Sequence, residues 1–95
     1  MYDAGVDIVF DPRKSAENEL RRDLPFSRVS EFEWATALVV ADIRYDYPEL
    51  RYLAHGLISK RLHTVVFTPV ATGVRVISFR KSNRREVRNY AKAQS

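Results

Sequence analysis

At 95 residues, with 45% hydrophobic and 29% charged positions, the chain is sized for a single domain, residues 1–95, with a modest core. It has no cysteine, which excludes a disulfide framework, a thiolate nucleophile and a zinc site built on sulfur. The net charge of +4 is unevenly spread: from Arg75 onward seven Lys/Arg face one acid, a local +6 that leaves residues 1–74 at −2. A basic pole of this kind suits a polyanionic partner, nucleic acid first; the bland alternative is a solvated helix face.

The N-terminal residues carry Asp3, Asp7 and Asp11 and no long apolar run, so no secretory signal is expected. No later stretch reaches the roughly 18–20 apolar residues of a membrane span. A cytoplasmic location without membrane contact is the expectation. Residues 7–10 read as a short opening strand. Asp11-Pro12 starts a helix, with Asp as N-cap and Pro at the first helical position. Ala16 and Leu20 form a thin apolar stripe on that helix, and Asp23-Leu24-Pro25 breaks it. Phe26, Val29 and Phe32 predict a second short helix.

Residues 34–43 read as a strand, a polar turn follows over 44–49, and residues 51–56 read as the next strand. A loop over 57–61 leads into the apolar run 62–69, and a loop over 70–73 delivers a β-branched strand at 74–79. Asn83 is a good N-cap for a final helix, with Glu86 placed to complete a capping box and Val87, Tyr90 and Ala91 on one apolar face. The order β-α-α-β-β-β-β-α predicts an α+β fold: a small antiparallel sheet, two N-terminal helices and one C-terminal helix, with the helices on one face.

These residues resemble the BrnT family (the DUF497 domain). The resemblance starts at Phe10-Asp11-Pro12 with Lys14, continues through Asn18, Phe26, Asp46-Tyr47, Glu49, Arg51 and Val66-Phe67-Thr68. It ends in the block Arg75-Val76-Ile77-Ser78-x-Arg80-Lys81-x-Asn83-Arg84-Arg85-Glu86. The last block is the specific part. A Lys-His-Gly triplet common in the family reads Arg21-Arg22-Asp23 here, a glycine after Asp46-Tyr47 is Pro48, and a small residue before Arg80 is Phe79. The resemblance implies a RelE-like toxin of a type II toxin–antitoxin system, an endoribonuclease that needs no metal or other cofactor and inhibits translation and growth. It also implies a BrnA-like ribbon-helix-helix antitoxin, joined to the toxin in a heterotetramer. A nucleic-acid-binding module without catalysis, or a degenerate toxin kept as a binding partner, would want the same basic pole.

Metal-free RNA cleavage needs a base for the 2′-hydroxyl, cations for the crowded phosphorane-like transition state, and a proton for the leaving 5′-oxygen. Arg51, Arg75, Arg80 and Lys81 are the candidate phosphate clamps. Arg84, Arg85 and Arg88 on the last helix, with Arg21 and Arg22 on the first, are candidate RNA-binding residues. His55, Glu49, Glu86, Lys81 and Tyr90 are candidates for proton transfer. Each has a structural alternative: His55 capping a turn, Glu86 serving its capping box, Tyr90 in the core. His63 alternates with Val65 and Phe67 and reads as structural. Strand alternation sets Arg75 with Ile77 and Phe79, and Arg80 with Val76 and Ser78. The two arginines therefore share a face only if a bulge or strand end intervenes. Arg22 cannot inherit acid–base chemistry from the family's histidine, because a guanidinium does not deprotonate. The two histidines, eight residues apart without convergent carboxylates, are poor metal-ligand geometry.

Overall fold

The computed structural model describes residues 6–95; Asp3 lies outside the described residues. Its strands form one five-stranded sheet in the order β1-β5-β4-β3-β2. These are β1 (Asp7–Val9), β2 (Leu38–Ala41), β3 (Tyr52–Ile58), β4 (Arg61–Val70) and β5 (Gly73–Lys81), with α1 (Pro12–Arg22) after β1 and α2 (Arg84–Gln94) at the end.

The meander β3-β4-β5 is the frame. Its runs are rich in Val, Ile, Phe and Thr, which favour extended backbone. The loop expected over 57–61 is instead a two-residue turn, Ser59-Lys60, with φ of 47° and 72°. Two left-handed residues in succession match the right-handed twist of a hairpin, so β3 and β4 pair out to Ile58 and Arg61. The second expected loop is also a two-residue turn, closing on the Val70–Gly73 pair.

The sheet is mixed rather than antiparallel, because β1 runs parallel to β5. Gly73 permits this pairing: a Cβ there would lie 2.1 Å from the Asp7 carbonyl oxygen. Residues 26–31 form a 3₁₀ helix where a second regular helix was expected. The strand expected from residue 34 is delayed to Leu38 by a 3₁₀ turn over Trp34–Thr36. That turn carries the Trp34 ring between Phe32 and Phe67, edge-on to both at 4.7 and 5.4 Å.

Cross-strand partners share a face of the sheet. Ala54, Val65 and Phe79 lie in register, and they face Phe26, Val29 and Phe32 in one buried cluster. Gly56 belongs to this face: a Cβ on it would stand 2.6 Å from the Phe32 ring.

Helix α1 does not dock through Ala16 and Leu20. Leu20 is 89% exposed, and the buried residues of α1 are Ser15 and Asn18. The reason is hydrogen bonding. The Phe26 N–H donates to Ser15 Oγ at 2.8 Å, and Asn18 Nδ2 donates to the Leu24 and Phe79 carbonyls at 2.7 and 2.9 Å. Beyond Arg75, β5 has no β1 neighbour, and Asn18 satisfies an edge carbonyl there that would otherwise be buried unpaired. The helices do not share a face either. Helix α2 reaches the side of the sheet opposite the aromatic core, because Glu86 bonds to Thr64 and Arg80. No helix among the described residues is long and apolar enough to cross a membrane.

Candidate nucleic-acid interface and active site

The polar face is built by the alternate residues of the same three strands. His55 pairs with Thr64, and Thr64 with Arg80, so the three side chains stand in one row. The register then shifts between Val66 and Phe67: Val66 pairs with Ser78, but Phe67 pairs with Val76, which makes Ile77 the extra residue of a bulge. Arg75 consequently pairs with Thr68 and falls on the same face as Arg80. The bulge is the condition that alternation alone could not supply.

Around His55 the contacts are dense. Its Nδ1 lies 2.9 Å from Thr64 Oγ1, which is 2.8 Å from Ser82 Oγ and 3.2 Å from Glu86 Oε1. Arg80 holds Glu86 with both arms, at 2.8 and 2.9 Å. Glu86 also completes the expected capping box, accepting from the Asn83 N–H at 2.9 Å while its own N–H donates to Asn83 Oδ1. The Arg80 bond, with further help from the Asn83 N–H, holds the Glu86 carboxyl at a pKa of about 2 against desolvation. Burial pushes the His55 imidazole below its usual range, opposed by Glu86 and reinforced by Arg80.

About four residues along the strands, on the order of 13 Å away, stands a second group. Arg51 lies 4.1 Å over the Tyr47 ring and 3.4 Å from Glu49, and its Nε is buried without a partner. The loop carrying it is anchored by Asp42. Arg44 donates to Asp42 from Nε and Nη2, Tyr47 Oη donates to it at 3.2 Å, and the Arg44 bond lowers the Asp42 pKa to about 2. Arg75 is exposed and has no ion-pair partner among the described residues.

The candidate residues thus divide. His55 and Arg80 meet at one end of the face, and Arg51, Glu49 and Arg75 belong to the other. Lys81 pairs with His63, which shares the alternation of Val65 and Phe67, so it is not on Arg80's face. Arg84, Arg85 and Arg88 are exposed along α2. Arg84 and Arg88 edge a groove of about 600 Å3 between α2 and the β3–β4 hairpin, floored by Leu57, Leu62 and Val87. Arg21 and Arg22 line a smaller cleft of about 220 Å3 with Lys14, Asn18, Ser78 and one acid, Glu17. Tyr90 is half-buried and donates from Oη to the Thr36 carbonyl at 3.3 Å. His63 is buried, with Nδ1 2.8 Å from the Arg61 carbonyl. No group of three or more His, Asp or Glu among the described residues is arranged to hold a metal ion. Sequence reasoning missed Thr64 and Ser82. The signal for Thr64 was available: Leu62, Thr64, Val66 and Thr68 alternate against the apolar residues, leaving two hydroxyls on the second face.

The family model described as "Ribonuclease toxin, BrnT, of type II toxin-antitoxin system" matches residues 10–86. The chain belongs to the BrnT family. No curated protein and no solved structure matches it. Membership of this family of ribonuclease toxins implies an RNA target and an antitoxin partner. The match includes His55, Thr64, Arg75, Arg80 and Glu86 of the polar face and stops before Arg88.

Proposed function

We propose that this BrnT chain is a RelE-like endoribonuclease that cleaves RNA without a metal ion, inhibits translation and growth in the cytoplasm, and is neutralised by a cognate antitoxin. The observation that carries this reading is the shared face of His55 and Arg80, which the bulge at Ile77 extends to Arg75. One imidazole held neutral beside a guanidinium supplies a base and a cation at one phosphate. Arg75, Arg51 and the Lys14–Arg21–Arg22 cleft offer cations for the neighbouring phosphates of a single strand.

In this reaction His55 takes the 2′-hydroxyl proton as the 2′-oxygen bonds to phosphorus. The P–O5′ bond breaks, and the 5′-oxygen takes a proton from water. The products are a 2′,3′-cyclic phosphate and a 5′-hydroxyl, and the imidazolium returns its proton to solvent. Metal independence is supported by the carboxylates, several of which already answer to a guanidinium: Glu86 to Arg80, Asp42 to Arg44, Glu49 to Arg51. The partner is a BrnA-like ribbon-helix-helix protein in a heterotetramer, with an acidic segment over the α2 arginines, where charge complementarity speeds capture.

Single-turnover cleavage of end-labelled RNA tests the reading, with and without EDTA and with product ends mapped. Cleavage in EDTA leaving cyclic phosphate ends is expected. Salt-sensitive binding with no cleavage would favour the non-catalytic clamp, a reading to which Glu86's two-armed hold on Arg80 lends support. Loss of cleavage in EDTA would refute the metal-free mechanism.

A further inference from the structure

Thr64 is fully buried and has one proton, yet three polar atoms converge on its hydroxyl. Their chemistry decides where that proton goes. Glu86 is ionised, gripped by Arg80 and the Asn83 N–H, and an ionised carboxylate only accepts. The Thr64 proton therefore points to Glu86 Oε1. If it pointed to Ser82, lone pairs of Thr64 and Glu86 would face each other at 3.2 Å. The two remaining lone pairs of Thr64 then accept, one from the Ser82 hydroxyl and one from His55 Nδ1. A ring nitrogen that donates carries the proton. His55 Nε2 is left bare: it has no partner among the described residues, and it is not among the side-chain atoms sealed from solvent without one.

We infer that Thr64 is a positioning residue: aimed by Glu86 and Ser82, it fixes His55 as the Nδ1–H tautomer and so presents Nε2 as the atom that receives the RNA 2′-hydroxyl proton. The inference rests on the ribonuclease reading for the identity of the proton, but the tautomer itself does not depend on activity. An imidazole in water exchanges its proton between the two nitrogens; the hydrogen bond on one nitrogen settles which is free. A Thr hydroxyl held by a carboxylate does here what a carboxylate does directly when it orients a catalytic histidine. It also explains why a polar row runs through a buried part of the sheet. Each member is satisfied by the next, from Arg80 through Glu86 and Thr64 to His55. Arg80 thus acts on His55 at a distance through Glu86, which makes Arg80 variants ambiguous. Thr64→Val leaves the Arg80–Glu86 pair in place and removes the hydroxyl alone.

The test uses the full chain labelled with nitrogen-15 at histidine. Long-range nitrogen–proton spectra at neutral pH should show His55 neutral with the proton on Nδ1. In Thr64→Val the tautomer should become mixed or revert to Nε2–H, and Thr64→Ser should restore it. Single-turnover cleavage at saturating RNA should fall about 10-fold or more in Thr64→Val, with RNA affinity little changed, and recover in Thr64→Ser. A wild-type His55 with its proton on Nε2 overturns the inference, with no variant needed and whatever the activity. A tautomer set as expected whose loss leaves the cleavage rate unmoved overturns the base role. A wild-type chain that binds but never cleaves refutes the ribonuclease reading instead, and the spectra tell the two failures apart.

Discussion

His55 and Gly56 are neighbours in β3 and serve opposite sides of the sheet. His55 joins a row of hydrogen-bonded polar groups, and Gly56 leaves room for the Phe32 ring. Thr64 and Val65 repeat the division on β4, and Arg80 and Phe79 on β5. The apolar side is closed by rings and by the 3₁₀ segment at Phe26–Glu31. Against the polar side, among the described residues, lie α2, of which no residue is buried, and at the far end the loop that carries Arg51. One set of strands therefore packs the aromatic core on one face and gathers the candidate site on the other. A rigid, well-packed side can aim the side chains of the other side.

The sharpest way to break this comparison is to change the two neighbours separately. His55→Gln keeps a polar group at the row and should lower single-turnover cleavage by about 10²-fold or more, with the urea midpoint little moved. Gly56→Ala should do the reverse. Its Cβ meets the Phe32 ring at 2.6 Å, and overpacking of this kind costs about 1–3 kcal/mol, while the folded fraction keeps its rate. If Gly56→Ala lost rate at full stability, or His55→Gln unfolded the chain, the two faces would not be separate in function.

A second measurement compares the two ends of the polar face. Arg80 already has a counter-charge in Glu86, whereas Arg75 has none among the described residues. Arg75→Ala should therefore flatten the log–log salt dependence of single-stranded RNA binding by about 0.7, the release expected for one phosphate. An unchanged slope would remove Arg75 from the RNA path.

Acid should attack both faces. The folded-state pKa values of Glu86 and Asp42 are depressed to about 2, and those of His55 and His63 are pushed down by burial. In every case the unfolded chain binds protons first, so each contribution is present above the unfolded pKa and lost as pH falls. The urea midpoint should begin to fall below about pH 6.5, the unfolded histidine value, and fall further from about 4.5 towards 2. His63→Gln should blunt the first stage and leave the second. A midpoint that rose on acidification to pH 5 would contradict the buried neutral histidines.

Much of the frame was legible in residue order, and the reasons differ by element. Runs such as Val74 to Phe79 announce strands by side-chain shape, and Asn83 with Glu86 announces a cap by local chemistry. Residue types of the candidate site were legible in the same way: His55, Arg80 and Arg75 stand out by their chemistry, and the structure sets them on one face. Relations across the fold were not. The parallel pairing of β1 covers three residues and depends on Gly73 meeting Asp7 across most of the chain. The docking of α1 through Ser15 and Asn18 answers to carbonyls that only the finished sheet leaves exposed. The bulge at Ile77 has no local signature, since Val76-Ile77-Ser78 reads as uninterrupted strand. Without it the two arginines fall on opposite faces, and Lys81 looks as well placed as Arg80.

The smallest effect concerns the end of α1, at Asp23. Its backbone is left-handed, with φ 59° and ψ 33°, and its N–H donates to the Glu19 carbonyl, the geometry of a helix C-cap. Three terms decide the outcome of Asp23→Gly. Relief of the left-handed conformation favours glycine by about 1–2 kcal/mol for an ordinary residue, and by less for Asp, which visits this region more readily. Removing an anion from a helix C-terminus favours it again, by about 0.3–1 kcal/mol. The greater freedom of glycine in the unfolded chain opposes both, by roughly 0.4–1 kcal/mol. The balance is a gain of about 0.5 kcal/mol, read as a higher urea midpoint at unchanged slope. Asp23 lies at the end of α1, away from the row at His55, so the cleavage rate should stay where it was. A variant that gained stability and lost rate would tie α1 to the chemistry, and the separation of the two faces would then fail at this helix.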